Sequence, residues 1–194
     1  MLAKIQKNYI TWVILALNVA AHILHMILGE TVYAAGSLSV LDVIEKKEYY
    51  RIVSSMFLHA GLAHILGNML FVVILGEMLE QAIGHTRFAF CYLLTGVGGN
   101  LCSMLFELIT GEYYHTVGAS GAVCGIMGAL LVIVILNRGN YGHISLNRML
   151  LAIVYMIYTG LQSPVVNNAA HIGGLLSGVL IMAFFALFQR KRSK

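Results

Sequence analysis

The chain is 194 residues long, 59% hydrophobic and only 10% charged, with a mean hydropathy of +0.84. So little polar surface cannot coat a water-soluble globule, which excludes soluble enzymes and soluble binding domains and points to an integral membrane protein. The net charge of +4 comes without a basic run suited to a nucleic-acid groove, so nucleic acid is not an expected partner and the basic residues matter through their location between spans.

Lys4 and Lys7 precede the first apolar stretch, Tyr9 to Leu28. The arrangement imitates a secretory signal, but about 20 apolar residues exceed its apolar region and suit a retained span. The connection from Gly29 to Met56 mixes charges with Tyr49, Tyr50 and Arg51, and is read as an interfacial element instead of a folded domain. Five further apolar segments follow: Leu62 to Leu79, Phe88 to Leu108, Ser120 to Leu136, Arg148 to Gln162 and Asn168 to Phe188. With no internal repeat, low-complexity tract or linker, the expected architecture is one all-α domain over residues 1–194, a polytopic bundle of six transmembrane helices. Cys91, Cys102 and Cys124 lie in apolar runs, and an odd number implies no disulfide framework.

An even number of spans places both termini on one side. Lys4, Lys7, Arg87, Arg138, Arg148, Arg190, Lys191, Arg192 and Lys194 share that side, against Lys46, Lys47 and Arg51 on the other. The excess of basic residues on cytoplasmic loops then puts both termini in the cytoplasm. Glu30, Asp42, Glu45, Glu48, Glu107 and Glu112 fall across the membrane, while Glu77 and Glu80 sit at the inner end of the second span. A compact core without an organellar targeting segment fits a bacterial plasma membrane.

Three spans carry polar groups at similar depth. Ser120 opens the fourth span, two residues after Gly118. His171 lies near the start of the sixth, and His64 and Asn68 lie in the second. Helix rise sets Ser120 about 27 Å from Arg138 and His171 about 28 Å from Arg190. Both are therefore in the outer part of a hydrocarbon layer about 30 Å thick. His64 and Asn68, four apart, share one helix face. Gly121, Gly125 and Gly128 in the fourth span, and Gly174 with Gly178 in the sixth, leave small-residue stripes that let backbones approach and would bring Ser120 and His171 together, although helix packing alone also accounts for them. Taken singly, Ser120 reads as a helix cap and His171 as a polar group hydrogen-bonded between helices. Taken together they read as nucleophile and general base. The carboxylate that usually orients such a base is missing: Asp42 is the only aspartate and lies in the outer loop, and the glutamates lie in loops or at span ends. A Ser-His dyad remains, with the Ser120 backbone N–H, His64 and Asn68 as the available donors to an oxyanion.

These residues resemble the rhomboid intramembrane serine proteases, over nearly the whole chain. Tyr50-Arg51 stands where the family's first loop usually has Trp-Arg. His59, His64 and Asn68 match its His-rich second span, Gly118-Ala119-Ser120-Gly121 its Gly-x-Ser-Gly motif, and Ala170-His171-Ile172-Gly173-Gly174 its Ala-His motif in the sixth span. Each motif alone is weak; four in order on the right spans are strong. The resemblance implies a six-helix rhomboid-like bundle that hydrolyses peptide bonds within or near the membrane. It makes Ser120 and His171 the catalytic dyad and His64, Asn68 and the Ser120 N–H the oxyanion hole, and it implies neither a metal nor an organic cofactor. One departure is Cys124, where the family often has a tyrosine packing on the catalytic imidazole. The implied partners, besides membrane lipid, are single-span membrane proteins whose helix unwinds near its outer end, with small residues at the cleaved position. Entry is expected sideways past the fifth span, whose outer end, Tyr158-Thr159-Gly160 with Pro164 just beyond, is weakened by glycine and proline. Oligomeric state is left open.

Four other readings compete. A metal site on His22 and His25, or on His59, His64 and His171, lacks the His-Glu-x-x-His pattern and an accompanying carboxylate. An intramembrane aspartyl protease needs more than one aspartate in a loop. A small transporter would place charges along a path within the spans, whereas the deep groups here are neutral or titrate near neutrality. A catalytically silent rhomboid-like binder of membrane segments is opposed by the presence of both Ser120 and His171.

Overall fold

A computed structural model describes residues 8–163 and 166–192, with side chains as far as 188. Of the residues invoked above, Lys4, Lys7, Pro164 and Lys194 lie outside the described residues, as do the side chains of Arg190, Lys191 and Arg192.

In chain order, α1 (Tyr9–Leu28) is followed by three short helices, α2 (Glu30–Gly36), α3 (Val40–Glu45) and α4 (Arg51–Ser54), with a 3-10 turn at Ser55–Phe57. The remaining long helices are α5 (Leu62–Ile83), α6 (His85–Thr110), α7 (Ser120–Leu136), α8 (Leu146–Leu161) and α9 (Asn168–Arg192). All six expected spans are helical, and the molecule is an all-α polytopic bundle apart from a small antiparallel hairpin, β1 (Asn140–Tyr141) with β2 (Ile144–Ser145), between α7 and α8. By length and composition α1, α5, α6 and α9 suffice to cross a membrane, whereas α7 and α8, with 17 and 16 residues, are shorter apolar helices.

The short helix α7 is the axis of the bundle, because every residue from Gly121 to Leu130 is buried by packing against α5, α6 and α9. Between helices in lipid there is no hydrophobic drive, so close van der Waals approach has to hold them, and small residues permit it. A Cβ on Gly174 would overlap the Gly121 carbonyl, one on Gly178 the Gly125 carbonyl, and one on Gly128 the Leu175 carbonyl. The glycine stripes expected to converge therefore do so, backbone on backbone. On the other face of α7 the Thr95 side chain of α6 fills the place of a Cβ on Gly125.

Two buried carboxylates that charge alone places at span ends organise the bundle there. Glu80 of α5 is fully buried and accepts hydrogen bonds from the backbone N–H groups of Ile10 (3.0 Å) and Thr11 (2.8 Å) and from the Thr11 hydroxyl (2.7 Å). It thus caps the first turn of α1 from a neighbouring helix, where the helix dipole also favours an anion. The His85 Nδ1, at 2.5 Å, is its remaining partner. Glu107 of α6, 1% exposed, is the second.

The connection between α1 and α5 is more ordered than an interfacial strip. Its hub is Arg51, 5% exposed, which donates to the carbonyls of Ala34 (2.7 Å) and Ser37 (2.9 Å) and to Glu48 (2.6 Å), with Asp42 at 3.6 Å. A guanidinium can serve several acceptors in different directions at once. The Lys46 ammonium, 2.7 Å from Asp42, together with Ser39 and Arg51, holds the Asp42 carboxyl below the ordinary aspartate value. Leu38 and Thr116 exchange main-chain hydrogen bonds, both 2.9 Å, and so fasten this connection to the segment leading into α7.

Candidate active site

Ser120 occupies the first position of α7, and the chain reaches it through Gly118 at φ +127. That left-handed backbone is open to glycine and strained for other residues. The Gly118 N–H is held by the Ser55 carbonyl at 2.9 Å. Gly118 is also required for space, since a Cβ there would stand 2.9 Å from the His64 ring and 3.5 Å from the Asn68 amide nitrogen. The two polar side chains of α5 therefore converge on the turn immediately before Ser120, as their spacing of four predicts. Ser120 is not the cap of its helix: the cap position is Ala119, and no side chain caps the first turn. The N–H groups at the start of α7 thus carry the partial positive charge of a helix N-terminus without a side chain spent on them.

His171 lies in the first turn of α9, its N–H bonded to the Asn167 carbonyl at 3.2 Å. The residues flanking the pair touch. Gly121, which follows Ser120, lies against the Ala170 carbonyl, which precedes His171, and against Gly174. The bland alternative for His171, a ring hydrogen-bonded between helices, is not realised at its buried Nδ1, which has no partner among the described residues. No hydrogen bond joins Ser120 Oγ to His171 among the described residues; such contacts are often long before substrate binds.

Asn68 is buried and its amide nitrogen has no acceptor, leaving a donor aimed beside Gly118. Behind it His59, fully buried, packs edge-on to His64 with ring centroids 5.1 Å apart. Burial, with His64 alongside, lowers the His59 pKa to about 4, so the ring is neutral at neutral pH. Cys124, the departure noted in the sequence, points its sulfur at Met156 of α8, 3.1 Å away. No group of three His, Cys, Asp or Glu side chains able to hold a metal ion occurs among the described residues.

Sequence reasoning singled out Ser120, His171, His64, Asn68 and the glycines; the four polar residues lie toward the N-terminal ends of α5, α7 and α9, and Gly121, Gly125, Gly128, Gly174 and Gly178 line the seam that joins α7 to α9. It passed over Asn167, Ser103 and Glu107, which form a hydrogen-bonded chain beside His171. The available signal was an asparagine directly before the sixth span, a strong helix-cap residue.

The Rhomboid domain model matches residues 46–188, which include all the residues discussed in this site. The chain is 38% identical over 163 residues to RHOMBOID-like protein 6, mitochondrial, of Arabidopsis thaliana, covering 83% of this chain and 51% of that protein. It is 36% identical over 162 residues to RHOMBOID-like protein 1 of the same plant, covering 81% and 40%. To the Rhomboid protease GluP of Bacillus subtilis it is 30% identical over 186 residues, covering 93% and 36%. The chain thus spans about half the length, or less, of these relatives. On the domain match and these identities, the chain belongs to the rhomboid family.

Proposed function

We propose that this protein is an intramembrane serine protease in which Ser120 is the nucleophile and His171 the general base. The observation that carries the reading is the glycine seam between α7 and α9, which sets the turns bearing the hydroxyl and the imidazole side by side. In the reaction His171 takes the Ser120 proton as Oγ attacks the substrate carbonyl, and the oxyanion is received by the Ser120 N–H, Asn68 and His64. Collapse breaks the C–N bond, the leaving amine takes the proton from His171, and water then hydrolyses the acyl-serine with the same imidazole as base. The rhomboid domain match covers residues 46–188, and with no linker or repeat in the sequence, residues 1–194 are taken to act as one domain.

The substrates follow from where the site lies. A scissile bond inside a regular helix is shielded, so the substrate is a single-span membrane protein whose helix opens at its outer end. It enters past α8, which buries only Met149, Ile153 and Gly160 and is the least firmly held of the long helices. The distribution of basic residues supports cytoplasmic termini, and the compact six-span core is the ground for a bacterial plasma membrane.

The test is labelling by a fluorophosphonate probe in detergent, wild type beside Ser120→Ala and His171→Ala. Both variants are expected to lose the label, and a label that survives Ser120→Ala sinks the assignment. Asn68→Ala should keep the fold and slow the reaction about 100- to 1,000-fold, the usual effect of losing one oxyanion donor. A chain that binds transmembrane peptides yet never labels would instead be the silent member of the family.

A further inference from the structure

Asn167 directly precedes α9, and each polar atom of its side chain is engaged. Oδ1 accepts from the Ala170 N–H at 3.0 Å, capping the turn that carries His171. Nδ2 donates to Ser103 Oγ of α6 at 2.6 Å and to Thr116 Oγ1, on the segment leading to Ser120, at 2.9 Å. One amide therefore joins the turn of the imidazole, the approach to the hydroxyl and the helix beneath both. The chain continues inward: the Ser103 hydroxyl donates to Glu107 Oε1 at 2.9 Å, and Glu107 Oε2 accepts the Tyr114 N–H at 3.2 Å. Ser103 and Glu107 are each 1% exposed, so no solvent can substitute for a lost partner.

The direction of the chain is set at Ala170, whose main-chain N–H can only donate. The amide oxygen of Asn167 therefore faces Ala170 and its NH₂ faces Ser103 and Thr116, so that Ser103 offers a lone pair to Asn167 and gives its own proton to Glu107. We propose that Asn167 is the positioning residue that fixes the spacing of the Ser120 and His171 turns, and that Glu107, by taking the Ser103 proton, keeps Ser103 an acceptor for that amide. This rests on the dyad reading above, and none of the three residues touches the reacting atoms.

The test reverses the chain. Asn167→Asp keeps the oxygen that caps α9, since aspartate caps as well as asparagine, but sets a second carboxylate against the Ser103 hydroxyl. Glu107→Gln sets a second N–H donor against it. In the double variant every bond is satisfied with the polarity inverted: the glutamine oxygen takes the Tyr114 N–H, its NH₂ donates to Ser103, and Ser103 and the Thr116 hydroxyl, turned to donate, both give their protons to the carboxylate at 167. Fluorophosphonate labelling of Ser120 is expected to slow roughly 10- to 100-fold in each single variant, the scale of a misplaced catalytic geometry. It should recover to within about threefold of wild type in the double variant, while melting temperatures measured in parallel show all three folded. Single variants that label at the wild-type rate, or losses that multiply in the double variant, overturn the proposal. Ser120→Ala runs alongside: a label persisting there overturns the dyad itself, whereas a label lost there but undiminished in the single variants overturns only the role of Asn167 and Glu107.

Discussion

The seam between α7 and α9 and the contact between α7 and α8 join the same central helix to two neighbours in different ways. Along the first, carbonyls of Gly121, Gly125 and Leu175 sit where Cβ atoms on Gly174, Gly178 and Gly128 would be. Along the second, side chains meet, as Cys124 meets Met156, and α8 turns Leu151, Val154, Tyr155, Tyr158 and Leu161 outward. Backbones in direct contact cannot shift by rotamer changes, whereas a helix held by a few side chains can move and reseat. The elements that bear Ser120 and His171 are thus joined without play, and the helix beside them has room to move.

The largest effect should come from wedging the rigid seam. In Gly178→Val the branched side chain meets the Gly125 carbonyl, which has no rotamer with which to yield. The cost should reach or exceed the roughly 1–3 kcal/mol typical of overpacking, seen as a collapse of the melting temperature in detergent together with loss of labelling. Retained stability would mean that the seam is looser than its geometry. Next comes immobilising the loose partner. A disulfide between the N-terminal end of α5 and the C-terminal end of α8 should abolish cleavage of a transmembrane substrate while leaving labelling by the small probe and the melting temperature intact. Undiminished cleavage would remove α8 from the entry route. Loosening α8 further, by Cys124→Ala, deletes the sulfur contact with Met156 and should cost about 1 kcal/mol, with labelling unchanged.

Asp42 of α3 serves as control, since its partners Lys46, Ser39 and Arg51 belong to neither interface. The Asp42 pKa is depressed in the folded protein, so its contribution is complete above the unfolded value near 3.9 and is lost as pH falls through the lower folded value. Asp42→Asn should therefore flatten the acid limb of stability below about pH 4, read by amide hydrogen exchange in α3 and α4, with no change at neutral pH in the labelling rate. An unchanged acid limb would show that Asp42 does not carry it.

Much of this was legible before any coordinates. Each of the six apolar segments became a helix within a few residues of its expected ends, because a membrane span is a property of composition over about 20 residues. Gly121 and Gly125 with Gly174 and Gly178 announced their packing because absent side chains leave few other uses. The boundary errors are informative: the second span was expected to stop at Leu79, before Glu80, yet α5 continues to Ile83 because Glu80 is satisfied by the first turn of α1. Arg51 likewise gave no sign of serving two carbonyls and two acids. Nor did Asn167, read only as the residue before a span, announce its bonds to Ser103 and Thr116. Such partnerships join residues far apart in the chain, and no local pattern encodes them.

The brevity of α8 has a mechanical corollary for the lipid around it. Its 16 residues rise only about 24 Å, short of a hydrocarbon layer of about 30 Å, whereas α1 and α9 have 20 and 25 residues. Acyl chains bordering α8 have to compress, at a fraction of a kcal/mol for each ångström of mismatch. A bilayer crossed by α8 therefore has to thin along that flank, and lengthening the lipid tails raises the load there.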